Sequence, residues 1–212
     1  MALDEYLFGK VARYFKEKKR AAGEAENRTA RLDALRPRLT VMACAVAGSA
    51  IEIFPAEAEG GYKNNAFFLP STCRLFPTAE QNRQFYLFRT LYLSIQKRLK
   101  INWSNVSGEQ PLDLSRQKAR EASPEVLQVL FEEFPIAHEW FDNFFTCLNA
   151  QATPKKQPDL HFLYGKWMVN DPENEAGKLL QNAGETVLPG SHPDPKTIIK
   201  AKIVEEIHQL TV

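Results

Sequence analysis

The stretch that decides the fold runs Gly60-Gly61-Tyr62-Lys63-Asn64-Asn65-Ala66-Phe67-Phe68-Leu69-Pro70, then Leu75-Phe76-Pro77-Thr78-Ala79-Glu80-Gln81, and then an apolar-rich segment to Leu99. Gly60-Gly61 is a turn signal, because glycine takes up positive φ at no steric cost. Phe67 to Leu69 is short and aromatic and is closed by a proline, which predicts a strand ending at Pro70. Thr78 and Gln81 match a capping box, with the hydroxyl on the amide three residues on and the glutamine reaching back. Beyond the cap, Phe85, Phe88, Tyr92, Ile95 and Leu99 recur at spacings of three and four, one stripe of a helix. Tyr86, Leu87, Leu91 and Leu93 occupy the other faces. A helix apolar nearly all round is buried, so this is the predicted central helix and its aromatics are core.

Working outward from it, Leu32, Leu35, Leu39 and Met42-Ala43 predict a helix reaching about Ala47, begun or kinked at Pro37, with Gly48 as its C-terminal cap. Ala50 to Phe54 alternates and reads as a strand ending at Pro55. Paired with Ala66–Leu69 across Gly60-Gly61, it predicts a β-hairpin near 50–70, resting on the helices because an isolated hairpin is marginal in water. After Leu99 the polar residues 100–112 read as a loop. Asp113 or Ser115 caps a short helix to Ala122. Ser123 then caps another, with Pro124 at its first position, where the missing N–H costs nothing. Pro135 ends or kinks that helix, and the next places Ile136, Trp140, Phe144 and Leu148 on one face.

The fold class expected is therefore mainly α, a helical domain with a small β-hairpin. Residues 1–150 form a helical N-terminal module. Residues 151–212 supply a linker, an aromatic segment from His161 to Met168, and a C-terminal helix with Ile199, Ile203, Ile207 and Leu210 as its stripe. At the other end, Tyr6 to Arg20 reads as a basic amphipathic helix. Leu7, Val11 and Tyr14-Phe15 share a face, while Lys10, Arg13, Lys16, Lys18, Lys19 and Arg20 are the candidate partner-binding residues.

Net charge is +1 over 212 residues, which names no partner, but it is unevenly placed. Residues 1–100 carry 17 Lys+Arg against 10 Asp+Glu, and residues 101–212 carry 10 against 16, or +7 and −6. That asymmetry points to a basic and an acidic face. No apolar run approaches the ~20 residues of a membrane span, and the N-terminus lacks the positive region and apolar core of a signal peptide. A cytoplasmic location is expected, with Cys44, Cys73 and Cys147 as buried free thiols.

Chemical motifs are sparse. The phosphate-binding loop and the nucleophile elbow are absent. His138, His161, His192 and His208 are scattered, with no metal-ligand spacing. Glu132-Glu133 and Glu205-Glu206 are adjacent on helices, so their carboxylates face different directions and make poor acid/base pairs. Trp103, Trp140 and Trp167 lack the regular basic neighbours of a base-stacking platform and read as packing residues. No catalytic, cofactor or metal residue is assigned.

The order of the segments resembles a family. Gly61-Tyr62, Leu69-Pro70, Asn82 and Tyr86, followed by Ser123-Pro124-Glu125-Val126-Leu127, Leu130-Phe131-Glu132-Glu133-Phe134-Pro135 and Leu163-Tyr164-Gly165-Lys166, resemble the N-terminal region of nitric oxide reductase activation proteins of the NorD type and rubisco activation proteins of the CbbO type. The likeness runs from about Leu39 to Trp167, and in it Gly61, Tyr62, Leu69, Pro70, Asn82 and Tyr86 form a structural motif. Such proteins carry a C-terminal von Willebrand A domain and act with a hexameric AAA+ ATPase of the MoxR class. That domain binds metal through Asp-x-Ser-x-Ser. Asp113-Leu114-Ser115-Arg116-Gln117 departs from it at the last residue and follows a polar turn, so the chain is expected to be the N-terminal part alone.

The resemblance implies a non-enzymatic adaptor, chaperone-like in action. It would have no cofactor, and its partners would be the ATPase and a client metalloenzyme or rubisco. The alternatives are a nucleic-acid-binding helical domain using the basic first helix, or an enzyme without a recognisable motif.

Overall fold

A computed structural model of the chain describes Gly23, Val106 and residues 26–103, 108–150 and 160–170. Tyr6–Arg20, the linker at 151–159 and the C-terminal helix expected after Lys196 lie outside the described residues. The described part is mainly helical with a few short strands.

The central helix, α2 (Ala79–Arg98), follows the capping box read from the sequence. Thr78 Oγ1 accepts from the Gln81 amide at 3.1 Å, and the Gln81 side chain accepts from the Thr78 amide at 3.2 Å. Phe85, Phe88, Tyr92 and Ile95 are all buried, as the stripe required. The polar residues among them sit on the same buried helix: Asn82, Arg89, Thr90, Ser94 and Gln96 are also inside. Thr90 and Ser94 return their hydroxyls to the carbonyls four residues back, each at 2.8 Å, which satisfies a buried hydroxyl without a tertiary partner.

Helix α1 (Leu32–Ala47) begins before Pro37 and runs through it. Pro37 and Asp33, whose carbonyl loses its amide partner, are both exposed, so water can complete the bond. Gly48 closes α1 in the left-handed conformation, as expected.

The β element differs from the expected hairpin. Strand β1 (Ala30–Arg31) pairs antiparallel with β5 (Thr72–Cys73). Strands β2 (Glu52–Ala56), β3 (Gly61–Lys63) and β4 (Ala66–Pro70) form a sheet in the order β2-β4-β3. β2 pairs with β4 in parallel, Ile53 opposite Phe67, and the antiparallel hairpin is β3–β4, turning at Asn64-Asn65. Asn64 takes φ 53 there, a conformation asparagine tolerates better than most residues. Gly60-Gly61 leads into β3 and is not the turn of a hairpin.

β2 also continues past Pro55. The Glu52 amide bonds Asn65 on the β4 side, so alternation turns the Ile53 and Pro55 backbone outward. A proline at that position of an edge strand loses no ladder bond.

Helix α3 is continuous over Leu112–Glu133, where two helices broken at Ser123 were expected. Neither Asp113 nor Ser115 caps it, since the N-cap position is Pro111. Pro124 cannot donate to the Arg120 carbonyl, but Ser123 Oγ donates to it at 2.8 Å. The hydroxyl read as a cap thus repairs the gap left by the proline inside the helix.

Pro135 opens α4 (Pro135–Ala150). Its buried face is Ala137 and Phe144, with Trp140, Phe141 and Leu148 partly covered, while Ile136 is 46% exposed. The predicted stripe was therefore rotated at its first residue. Helices α1, α3 and α4 pack on α2, as does the short α5 (His161–Tyr164). Residues 160–170 belong to the same compact unit as the rest of the described chain. No described helix is long and apolar enough to cross a membrane.

Candidate functional site

Two polar nodes lie on one face of α2, two turns apart. The first is Asn82, fully buried. Its Nδ2 donates to the carbonyls of Arg28, Phe76 and Thr78 at 2.8–2.9 Å. Its Oδ1 accepts from the Phe76 amide at 3.0 Å and from Cys73 Sγ at 3.2 Å. One side chain therefore holds the chain at Arg28, the β5 strand and the loop before the capping box. One turn on, Tyr86 donates its hydroxyl to the Pro70 carbonyl at 2.7 Å, anchoring the end of β4. Burial keeps the Tyr86 phenol well above its ordinary range and pushes the Cys73 thiol up to about 12, so both act as neutral donors.

The motif residues converge around this face. Leu69 and Tyr62 are buried in the core. The Tyr62 phenol is pushed up to about 12 by burial, against a hydrogen bond to Asn102. A Cβ on Gly61 would strike the carbonyl oxygen of Lys166, which gives that glycine a steric reason. Gly61, Tyr62, Leu69, Pro70, Asn82 and Tyr86 are all inside, and their hydrogen bonds end mostly on backbone atoms. The arrangement braces loops against α2.

The second node is Arg89, which sequence reading missed. It is completely buried. Nη1 donates to the Leu163 carbonyl at 2.9 Å and Nη2 to the Glu59 carbonyl at 3.4 Å, and the guanidinium lies 5.5 Å from the Tyr92 ring centre. Nε has no partner. Burial brings the guanidinium down to about 10, partly offset by Tyr92 and Glu59, so it stays charged at neutral pH.

Glu59 is itself buried, 1% exposed. It is gripped by Arg116 in a two-pronged pair at 2.7 and 3.0 Å. Burial raises its carboxyl. Arg116, a hydrogen bond from its own backbone and Lys166 outweigh that and hold it below its ordinary value.

Arg89, the Gly60 and Ser115 carbonyls and the Asn102 side chain hold residues 163–168. Gly165, at φ 72, leaves no room for a Cβ beside Arg89 and the Gly60 carbonyl. Lys166 donates its amide to Gly60 O at 2.9 Å, Trp167 to Ser115 O at 3.2 Å, and Met168 to Asn102 Oδ1 at 2.9 Å. The aromatic segment is thus a strap over α2 and α3, with Leu163 buried and Trp103 edge-on to Trp167 at 5.3 Å.

The other sequence candidates scatter. Asp113–Gln117 forms the first turns of α3, where Ser115 is buried against Trp103 and Arg116 grips Glu59. His138 makes an exposed pair with Asp142 at 3.6 Å, and His161 starts α5. Cys73 is buried and Cys44 and Cys147 are half-buried, all three free. Glu132 and Glu133 diverge: Glu132 accepts from Gln128, and Glu133 takes both prongs of Arg98. Among the described residues, no group of three His, Cys, Asp or Glu side chains could hold a metal ion. Lys10, Arg13, Lys16, Lys18, Lys19 and Arg20, and also His192 and His208, lie outside the described residues. No family model, no curated protein and no solved structure matches the chain.

Proposed function

We propose that the chain is a non-enzymatic, cytoplasmic interaction module that couples a MoxR-class AAA+ ATPase to a client enzyme, as the resemblance to NorD- and CbbO-type activation proteins implies. The observation that carries this reading is the character of the motif. Its six residues are buried, and the hydrogen bonds of Asn82 and Tyr86 mostly hold main-chain atoms. Residues that hold shape, and present no reactive group to solvent, suit a scaffold that offers its surface to other proteins. The basic residues from Lys10 to Arg20 are the contact assigned to an acidic protein partner.

Rim charges mainly speed association, and surface charge changes typically alter stability by less than ~0.5 kcal/mol each. Association of the purified chain with a MoxR-class ATPase tests the reading, measured at several salt concentrations beside the variant K16E/K18E/K19E. The expected result is binding by the wild type, with slower and less salt-sensitive association by the variant. Absence of binding overturns the adaptor reading. Unchanged association at low salt removes the basic segment from it. Steep salt-dependent binding to duplex DNA would favour the nucleic-acid alternative.

A further inference from the structure

The outer side of the α3–α4 pair carries a ladder of aromatic rings that the core does not use up. His138 stacks on Phe131 at 4.5 Å with the rings 20° apart, Phe131 meets Phe141 at 5.7 Å, and Phe141 stacks on Phe145 at 6.2 Å. Phe131 and Phe141 are half-buried, His138 is exposed, and Phe145 is 39% exposed. Residues 121–150, which contain the ladder, have six carboxylates and no Lys or Arg. Glu121 and Glu133 are neutralised by Lys118 and Arg98 from outside that stretch. Glu132 and Asp142, next in sequence to Phe131 and Phe141, are exposed and have no Lys or Arg partner among the described residues.

One segment of the chain has the complementary chemistry. Between Lys10 and Arg20 there are six basic residues and one acidic residue, and Leu7, Val11, Tyr14 and Phe15 supply an apolar side. It also has the reach. Near the start of the continuous described stretch at residue 26, the Arg28 carbonyl is held by Asn82. The neighbouring Gln81 donates to Cys147 on α4 at 3.6 Å, and Phe76, held by Asn82, stacks on Phe144 at 4.5 Å. Arg28 and the Phe145 end of the ladder are therefore tied to adjacent residues of α2. Gly23 and residues 26–28 are helical, so the eight residues from Arg20 to Arg28 reach less than the ~26 Å of a fully extended chain and at least the ~12 Å of a continuous helix.

We propose that the basic segment Tyr6–Arg20 docks in cis on the acidic aromatic face of α3–α4. Its Lys and Arg heads meet Glu132, Asp142 and the ring faces, and its apolar side covers Phe141 and Phe145. This does not depend on the adaptor reading, but it gives that reading a control: an acidic partner must compete with the chain's own face for the basic segment.

Hydrogen exchange of the full-length chain, read by mass spectrometry over residues 6–20 without any partner, tests it. At low salt the amides of 6–20 should be protected at least tenfold relative to free-peptide rates. The protection should fall away at high salt, because exposed charges are screened beyond a Debye length of ~10 Å at 0.1 M. E132K/D142K and Phe145→Ser should each remove it while leaving the exchange of α2 unchanged. Combining E132K/D142K with K16E/K18E/K19E should restore part of it. Free-peptide exchange over 6–20 at low salt overturns the proposal, as does protection insensitive to the acidic-face variants. Protection that grows with protein concentration would assign the segment to the face of a second copy and overturn the cis arrangement.

Discussion

Asn82 and Arg89 sit seven residues apart on the same buried face of α2, yet they are built on opposite principles. Asn82 is neutral, and both ends of its amide are engaged, all on partners from residues 28 to 78. Arg89 brings a full charge into the interior, reaches carbonyls 30 and 74 residues away in sequence, and leaves Nε without a partner. A buried neutral amide with its bonds made costs little and fixes geometry, whereas a buried charge carries a desolvation penalty even when hydrogen-bonded. The Asn82 node should therefore carry global stability, and the Arg89 node should govern how the 160–170 strap is held.

The largest effect is expected at Asn82. Asn82→Leu keeps the volume close to the original, so no cavity confuses the result. It strips hydrogen bonds from the Phe76 amide and from the carbonyls of Arg28 and Phe76. At ~1–3 kcal/mol for each buried group left unpaired, the loss should exceed about 3 kcal/mol, a large part of the ~5–15 kcal/mol that a domain has. Urea denaturation measures it. A loss below about 1 kcal/mol would mean that the loops at 28 and 76–78 hold their shape without Asn82.

Arg89→Met should cost less, about 1–2 kcal/mol. The Met side chain fills similar space, and removing the buried charge also removes its desolvation penalty. The loss is the support of Leu163 O and Glu59 O. Its signature should be local: faster hydrogen exchange at 160–170, with α2 unchanged. A global destabilisation larger than that of Asn82→Leu would reverse the ranking of the two nodes.

What the sequence made legible follows the same division. Short-range signals were read correctly: the Thr78–Gln81 capping box, the stripe through Phe85, Phe88, Tyr92 and Ile95, and the Gly48 cap all act within a turn or two. Asn82 was singled out through the resemblance, but its role was not visible, because its acceptors are positioned by loops. Arg89, Glu59 and Arg116 were missed because their contacts join residues 30 to 74 apart. An arginine amid an apolar helix was the one available hint.

The sheet failed for a related reason. The shortest connection suggested that Ala50–Phe54 pairs with Ala66–Leu69 as a hairpin. The three-residue strand Gly61–Lys63 was too short to signal, and it takes the antiparallel place beside β4. At Ser123-Pro124, a start signal for one helix became an interior repair within a longer one, because packing of Val126 and Leu130 with Ala119 in one core favours continuity.

The smallest and most specific effect belongs to Glu59, whose carbonyl accepts from Arg89 on α2 and whose carboxylate pairs with Arg116 on α3. Its carboxyl is held below the ordinary value in the folded chain. Between its folded and unfolded values the unfolded chain binds more protons, so stability rises with pH across that window. The contribution is complete above the ordinary carboxylate range and is lost as pH falls through the depressed value. In Glu59→Gln the pair with Arg116 is gone at every pH, and Arg116, with its side chain 25% exposed, can turn partly to water. Stability curves of the two proteins should therefore run parallel from neutral pH down to about 4.5, near the ordinary Glu value, and converge below it. Other carboxylates titrate alike in both and cancel in the difference. Chemical denaturation at stepped pH provides the curves. A gap that widens as pH falls would show that burial, and not the Arg116 pair, governs Glu59, and would move the source of the strap's hold back to Arg89.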